Sequence, residues 1–117
     1  MTTQMEMARR GQPTEEMKAV AEAEGIRLDK LMRLVASGRV VITRNVRRDY
    51  VRPTGIGEGL RVKVNANVGT SPDLCDPDLE VQKALVAVRY GADTVMDLST
   101  AGDLDLIRSK IIEAVDV

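Results

Sequence analysis

Hydrophobic and polar residues alternate strictly between residues 60 and 67, and this pattern predicts a β-strand. The positions that share its apolar face are Leu60, Val62, Val64 and Ala66. A short apolar run over residues 94–98 predicts a second strand. A helical pattern follows each strand, starting at Asp76 in one case and at Asp103 in the other. The order from residue 60 onward is therefore β-α-β-α, which is typical of parallel strands joined by crossover helices.

Apolar residues at helical spacing predict which side of each of these two helices is buried. In the first helix they are Val81, Leu85 and Val88, with Ala84 at the edge. In the second helix they are Leu104, Ile107, Ile111 and Val115.

The first 59 residues carry a different pattern, with two short helices before a strand. Helices are predicted over residues 13–25 and 28–37, since a proline opens the first and a glycine follows each. Residues 1–12 are polar and Met-rich, so we expect a loose start. The β-branched run 40–42 predicts a strand. Glycine, arginine and proline are frequent in residues 43–59, which predicts a loop.

These elements divide the chain into a helical N-terminal segment (1–39), a strand with a Gly/Arg-rich loop (40–59) and two βα units (60–117). Two strands cannot form a buried parallel sheet, because such sheets are covered on both faces. A barrel of this type takes eight βα units over about 250 residues. The expectation is an α/β fold that is the front portion of a larger protein or that completes its sheet with another chain.

Composition excludes several classes of function. Lys and Arg number 17 and Asp and Glu 18, a net charge of -1, which argues against general binding of nucleic acid or membrane surfaces. Histidine is absent and Cys75 is the one cysteine, which excludes an internal disulfide, a Cys/His catalytic pair and a cysteine-cluster metal site. No apolar run approaches the ~18 residues of a membrane span, so we expect a cytoplasmic protein.

Candidate ligand-binding residues lie where the two predicted strands end. Asn65 and Asn67 lie at the carboxyl end of the first strand, and in (β/α) barrels this end of the strands faces the active site. The amide of asparagine suits a polar ligand because it both donates and accepts hydrogen bonds. The alternative is that both amides only tie down the adjacent loop. Met96 and Asp97 end the second strand on opposite sides. Asp97 is a candidate for binding a sugar hydroxyl or a cation. Met96 would make an apolar contact with a ligand or pack in the core.

Other features give weaker signals. The loops 69–71 and 99–102 are rich in small residues whose N–H groups suit a phosphate, but neither has a known phosphate-binding spacing. A local cluster of basic residues consists of Arg44, Arg47, Arg48 and Arg52. The favoured interpretation is a solvated loop, and the alternative is a site that binds an anion. Nothing near Cys75 in the sequence would lower its pKa, so a nucleophilic role is not expected.

Two long motifs carry a family resemblance. Residues 63–71 read Lys-Val-Asn-Ala-Asn-Val-Gly-Thr-Ser, and residues 91–100 read Gly-Ala-Asp-Thr-Val-Met-Asp-Leu-Ser-Thr. Both resemble segments of the phosphomethylpyrimidine synthase (ThiC) family of thiamine biosynthesis, especially its archaeal branch. Supporting pieces lie at 38–42, 55–60 and 102–104, and the resemblance covers most of residues 8–117.

The resemblance implies the opening of a (β/α)8 TIM barrel in a radical S-adenosylmethionine carbon–carbon lyase. That family converts aminoimidazole ribotide to hydroxymethylpyrimidine phosphate with S-adenosylmethionine, a [4Fe-4S] iron–sulfur cluster and a divalent metal such as zinc. Asn67 matches a substrate-binding Asn of the family and Met96 a substrate-contacting Met. We assign no catalytic residue and no metal ligand to this sequence.

Some positions depart from the family pattern. Residues 43–48 keep one matching position, Asn45, and Ala101 stands where a Gly is usual. The family's metal-binding histidines and cluster-binding cysteines have no counterparts here. The chain alone is therefore expected to bind none of these cofactors and to be inactive.

The sequence leaves two interpretations open. In the first, the chain is the N-terminal portion of a phosphomethylpyrimidine synthase. In the second, it is a stand-alone non-catalytic module that binds a phosphorylated ligand or a partner chain. An open sheet edge also predicts self-association or a homodimer.

Overall fold

A computed structural model describes residues 2–117, and the chain divides into two compact units, with the boundary in the sequence between Val62 and Lys63. The described residues form five helices and four strands, so the fold is mixed α/β. In this part of the chain, no helix is both long and apolar enough to cross a bilayer.

The first unit contains three helices and a hairpin. The helices are α1 (Gln4–Arg9), α2 (Glu15–Glu24) and α3 (Leu28–Ala36), and the strands are β1 (Val40–Thr43) and β2 (Thr54–Gly57). The strands pair antiparallel, with Val40 opposite Gly57. The core of this unit consists of Ala8, Met17, Val20, Ala21, Leu31, Val35 and Val40. Helices α2 and α3 and strand β1 therefore confirm the sequence predictions within one or two residues.

Two predictions in this unit are wrong. Residues 4–9 are helical rather than loose, because Thr3 and Glu6 form a reciprocal capping box that satisfies backbone groups at the start of α1. The predicted loop contains β2, despite its glycines. Gly55 is needed there, since a Cβ at this position would lie 2.5 Å from Cγ1 of Val20 on α2. Close approach of strand to helix thus explains a glycine that the sequence alone suggests is a loop residue.

The second unit has the predicted β-α-β-α order. Its elements are β3 (Asn65–Val68), α4 (Pro77–Arg89), β4 (Thr94–Asp97) and α5 (Leu104–Ala114). The strands are parallel, with Asn65 opposite Thr94 and Asn67 opposite Met96. Asp76 and Asp103 cap the two helices, as their sequence positions predict. The core consists of Val68, Ala84, Ile107, Ile111 and Val115.

The predicted strand over 60–67 is too long at its start. The ladder begins at Asn65, the residue opposite the first residue of β4, and Val62 before it is 85% exposed. Sequence alternation cannot reveal where a partner strand ends.

The predicted apolar stripes of the helices also need correction. Leu85 is 46% exposed, and the buried positions of α4 are Glu80 and Ala84, with Val81 and Val88 partly buried. In α5, Ile107 and Ile111 are buried, but Leu104 is exposed.

Candidate functional site

One face of the β3–β4 sheet carries the predicted binding residues. Successive side chains of a strand point to opposite faces, so residues in alternate positions share one face. Val68 and Val95 pack into the core with the helices, which leaves Asn65, Asn67, Thr94 and Met96 on the other face. Asn67 is exposed and lies opposite Met96, which is 49% exposed.

A short hydrogen-bond chain links the polar residues of this face. Oγ1 of Thr94 donates to Oδ1 of Asn65 at 2.8 Å, and Nδ2 of Asn65 donates to Oδ1 of Asn67 at 3.0 Å. The amide oxygen of Asn67 is therefore engaged, which leaves its NH₂ group as the donor that a ligand on this face could use. The arrangement offers a hydrogen-bond donor beside a polarizable thioether.

Asp97 takes a different role from the candidate one. Its Oδ1 accepts hydrogen bonds from the backbone N–H of Ser99 at 3.0 Å and from the Ser99 hydroxyl at 2.5 Å. Alternation along β4 directs Asp97 away from the face that carries Met96. Asp97 thus shapes the loop after β4, and the structure gives no support for its binding a sugar hydroxyl or a cation beside Asn67.

The loops after β3 and β4 are bonded to each other. The N–H of Thr70 donates to Oγ of Ser99 at 3.1 Å, and the N–H of Thr100 donates to the carbonyl of Thr70 at 2.9 Å. The hydroxyl of Thr70 donates to the carbonyl of Ala101 at 2.6 Å. These bonds join the carboxyl ends of the two strands directly beyond Asn67 and Met96.

The same bonds weaken the phosphate interpretation of these loops. A phosphate cradle needs backbone N–H groups that are free to donate. The N–H of Gly69 donates to Glu80 at 2.6 Å and that of Ser71 to the carbonyl of Leu74 at 2.9 Å. The N–H groups of Thr70, Ser99 and Thr100 are engaged as well. All three backbone donors of the loop 69–71 and the first two of the loop 99–102 are therefore already used within the protein.

The arginine cluster belongs to the first unit and favours the solvated-loop interpretation. Arg44 pairs with Glu16 at 2.8 Å, and the guanidinium of Arg48 lies 5.0 Å from the Tyr50 ring centroid. The backbone N–H of Glu16 and the Arg44 guanidinium lower the pKa of the Glu16 carboxyl. A shallow cavity of about 350 Å³ adjoins this pair, and its lining includes Gln4, Asn45 and Asp49. Arg44 is thus engaged by a carboxylate and is not set apart to hold an anion.

No metal centre is present among residues 2–117, where no three His, Cys, Asp or Glu side chains converge. Cys75 is exposed. A [4Fe-4S] cluster takes several thiolates, so the residues of this chain do not fit one.

The sequence patterns missed Glu80 and, although they singled out the loop 69–71, the role of Thr70 within it. Thr70 and Glu80 are both buried next to the loop that follows β3. For Glu80, the available signal is a glutamate four residues before Ala84, on the side of α4 that Val81 and Val88 also line.

Comparison with known proteins gives consistent matches. The model of the radical SAM ThiC family matches residues 3–117. A phosphomethylpyrimidine synthase of Thermococcus kodakarensis is 63% identical over 115 residues, one of Methanopyrus kandleri 64% over 116, and one of Thermus thermophilus 56% over 116. Each match covers 98% of this chain and 27% of the relative, so the chain spans about a quarter of their length.

Proposed function

Because this chain belongs to the radical SAM ThiC family, we propose that it supplies part of the substrate site of a phosphomethylpyrimidine synthase. The substrate would be aminoimidazole ribotide, and the product hydroxymethylpyrimidine phosphate for thiamine biosynthesis. The observation that carries the proposal is the pairing of Asn67 with Met96 on the exposed face of a parallel sheet.

The second unit has the form of the repeat from which a (β/α)8 barrel is built. β3 and β4 are parallel, and a helix follows each of them. We propose that they are the first two strands of such a barrel, with the face of Asn67 and Met96 turned to its interior. In such barrels, residues at the carboxyl ends of strands bind the substrate.

The two side chains suit different parts of an imidazole nucleotide. The NH₂ group of Asn67 is directed away from Asn65 and would donate to an oxygen or ring nitrogen of the ligand. The thioether of Met96 would pack against the ring, since methionine sulfur makes favourable contacts with aromatic systems. Both roles concern binding and orientation of the substrate.

The radical chemistry of the family is supplied by S-adenosylmethionine and a [4Fe-4S] cluster. This chain has one cysteine and no histidine, and it does not fit the cluster. Its proposed part in the reaction is therefore limited to holding substrate, and turnover requires the remainder of a protein of the relatives' length.

Substrate affinity tests this function without loaded cofactors. In a hybrid protein, this chain replaces the matching 115-residue segment of the Thermococcus kodakarensis relative. Calorimetry then measures the binding of aminoimidazole ribotide. We expect the hybrid to bind, and Asn67→Ala to weaken binding about tenfold, the effect of losing a hydrogen bond to a ligand.

The matched control is Gln82→Ala, because Gln82 is an exposed carboxamide side chain on α4 of the same unit and is not part of the proposed site. Its affinity should equal that of the unmutated hybrid. Failure of the unmutated hybrid to bind, or an equal loss in both variants, would contradict the proposed function.

We also propose that the chain associates with a second copy of itself. Each strand of the two-stranded β3–β4 sheet has one edge without a partner among the described residues, and unpaired edges favour association. Exposed apolar side chains on the neighbouring helices add to this tendency, and they include Leu85, Val86, Leu106 and Ile112.

A further inference from the structure

Buried polar side chains are concentrated at one place in this molecule. Among residues 2–117 the polar side chains that are buried are Thr70, 2% exposed, and Glu80, 1% exposed. Burial of a polar group is costly unless hydrogen bonds compensate it, so such groups are retained where they organise structure. Both residues adjoin the loop that follows Asn67, the proposed substrate ligand on β3.

Glu80 holds this loop from the side of helix α4. Its Oε2 accepts the N–H of Gly69 at 2.6 Å, and its Oε1 accepts from Nζ of Lys83 at 2.6 Å. The backbone donor and the ammonium group together compensate the buried carboxylate. Gly69 is two residues beyond Asn67, so this bond fixes the end of β3 against the helix.

Thr70 holds the same loop from the side of β4. Its hydroxyl donates to the carbonyl of Ala101, its N–H donates to Ser99, and its carbonyl accepts from both N–H and Oγ1 of Thr100. We call this set of contacts the loop clamp, and it consists of Gly69, Thr70, Glu80, Ser99, Thr100 and Ala101.

The buried face of the ladder and the loop clamp together fix the register of the strands. β3 and β4 pair over four residues, and Val68 and Val95 pack into the core from the buried face. A buried face opposes a slip of one residue, and the clamp adds hydrogen bonds directly beyond the carboxyl ends of the strands. A shift of one residue moves a side chain by about 3.3 Å along its strand. Such a shift would separate Asn67 from Met96, and it would break every bond between the loops of the clamp.

We propose that Thr70 and Glu80 are positioning residues for substrate binding. They hold Asn67 and Met96 opposite each other by fixing the loops that leave the two strands. This inference rests on the proposed function, because it assigns to the clamp the geometry of that same site. A misplacement of about 1 Å is enough to weaken productive contacts severely.

The hybrid protein described above tests the role of Thr70. Thr70→Val removes the hydroxyl with little change of volume, and it is expected to weaken binding of aminoimidazole ribotide at least about fivefold. Thr70→Ser keeps the hydroxyl and should restore affinity to within about twofold of the unmutated hybrid. Ile111→Val is the matched control for lost stability, because Ile111 is a core residue of the same unit outside the clamp. It should lower Tm and leave affinity unchanged.

Glu80 is tested with a second pair of variants in the same hybrid. Glu80→Leu removes the acceptor for Gly69, whereas Glu80→Gln retains an oxygen that can accept the same N–H. Hydrogen exchange in peptides that contain residues 69–71 should accelerate about tenfold in Glu80→Leu and little in Glu80→Gln. Substrate affinity should likewise fall more in Glu80→Leu than in Glu80→Gln. The control is Glu113→Gln, at an exposed position of α5, and its affinity should match that of the unmutated hybrid.

The outcomes separate the two proposals. If the unmutated hybrid binds substrate but Thr70→Val lowers only Tm, the positioning role is wrong and the proposed function stands. The positioning role is also overturned if Ile111→Val weakens binding as much as Thr70→Val. If the unmutated hybrid binds no substrate, the proposed function fails and the positioning role fails with it.

Discussion

Gly69 is the residue at which the chain leaves β3, and the local geometry suits only glycine. Its φ of 152° lies in a region that L side chains rarely adopt. A Cβ on this residue would lie 2.6 Å from both the carbonyl carbon of Leu98 and the nitrogen of Ser99. Close contact between the two exit loops therefore depends on the absence of a side chain here.

Gly69→Ala is predicted to destabilise the second unit by about 3 kcal/mol, from backbone strain together with steric overlap. Gly91→Ala is the matched control, because Gly91 also has positive φ, 97°, but open space around its Cβ position. The control should cost about 1 kcal/mol, from strain alone. Urea unfolding followed by circular dichroism measures both, and equal costs would contradict the steric argument.

At the residue scale, the sequence identified the candidate ligand-binding residues better than the residues that hold them in place. Asn65, Asn67 and Met96 were visible because they end strands. The structure brings them to one face, but their role in substrate binding remains a prediction. Glu80 was missed because a glutamate within a helix usually faces solvent, and only the loop packed above it explains its burial.

At the scale of elements, helix α3 shows how charges replace a missing cap. Its N-cap residue, Arg27, makes no side-chain capping hydrogen bond. Arg27 pairs instead with Asp29 in the first turn at 2.7 Å, and Arg33 pairs with the same carboxylate at 3.0 Å. Hydrogen bonds from Arg27, aided by Arg33, lower the pKa of Asp29 to about 2. A carboxylate in the first turn also stabilises the helix, because its negative charge interacts favourably with the positive end of the helix dipole.

This pKa predicts a pH dependence for α3. A lowered carboxyl pKa stabilises the folded state above the ordinary value of about 3.9, and that contribution disappears as pH falls toward 2. Titration of Asp29 followed by NMR should give about 2, and Arg27→Gln should raise it toward its ordinary value.

The stability difference between the natural chain and Asp29→Asn should be present at pH 6 and vanish near pH 2. Because the pair is exposed, 1 M salt should reduce the difference. An Asp29 pKa that does not respond to Arg27→Gln would contradict this account.

Element boundaries were predictable where local chemistry sets them. Proline and glycine gave both ends of α2 within two residues, and aspartate gave the starts of α4 and α5 within one, since capping involves only neighbouring groups. β2 and the start of β3 were wrong because a strand exists only opposite its partner. Pairing is a contact between distant residues, and periodicity does not report it.

At the scale of the whole molecule, the chain has two cores, and each unit is too small to bury all of its apolar residues. Surface-to-volume scaling leaves short units with much exposed area. Tyr90 on the second unit is 82% exposed, and Leu85, Val86 and Leu106 are also exposed. Such surfaces favour association.

The chain is predicted to self-associate in solution. Sedimentation velocity at increasing concentration should give a rising weight-average mass for the 12.8 kDa chain. The double variant Val86→Lys/Leu106→Lys should shift this association to at least about tenfold higher concentration, because charges oppose apolar contact. Val46→Lys, at an exposed position of the first unit, is the control and should change little. A mass that stays monomeric at every concentration would refute the prediction.

The sequence by itself determined the α/β class, the order β-α-β-α and the family, because hydrophobic periodicity, caps and motifs are local properties of the chain. Only the tertiary structure decided where strands pair, which side of α4 is buried, that Glu80 bonds the loop after β3, and that Thr70 joins this loop to the one after β4. The physical reason is that burial and hydrogen bonding of these groups depend on residues about ten or thirty positions away in the chain, whose proximity arises only on folding.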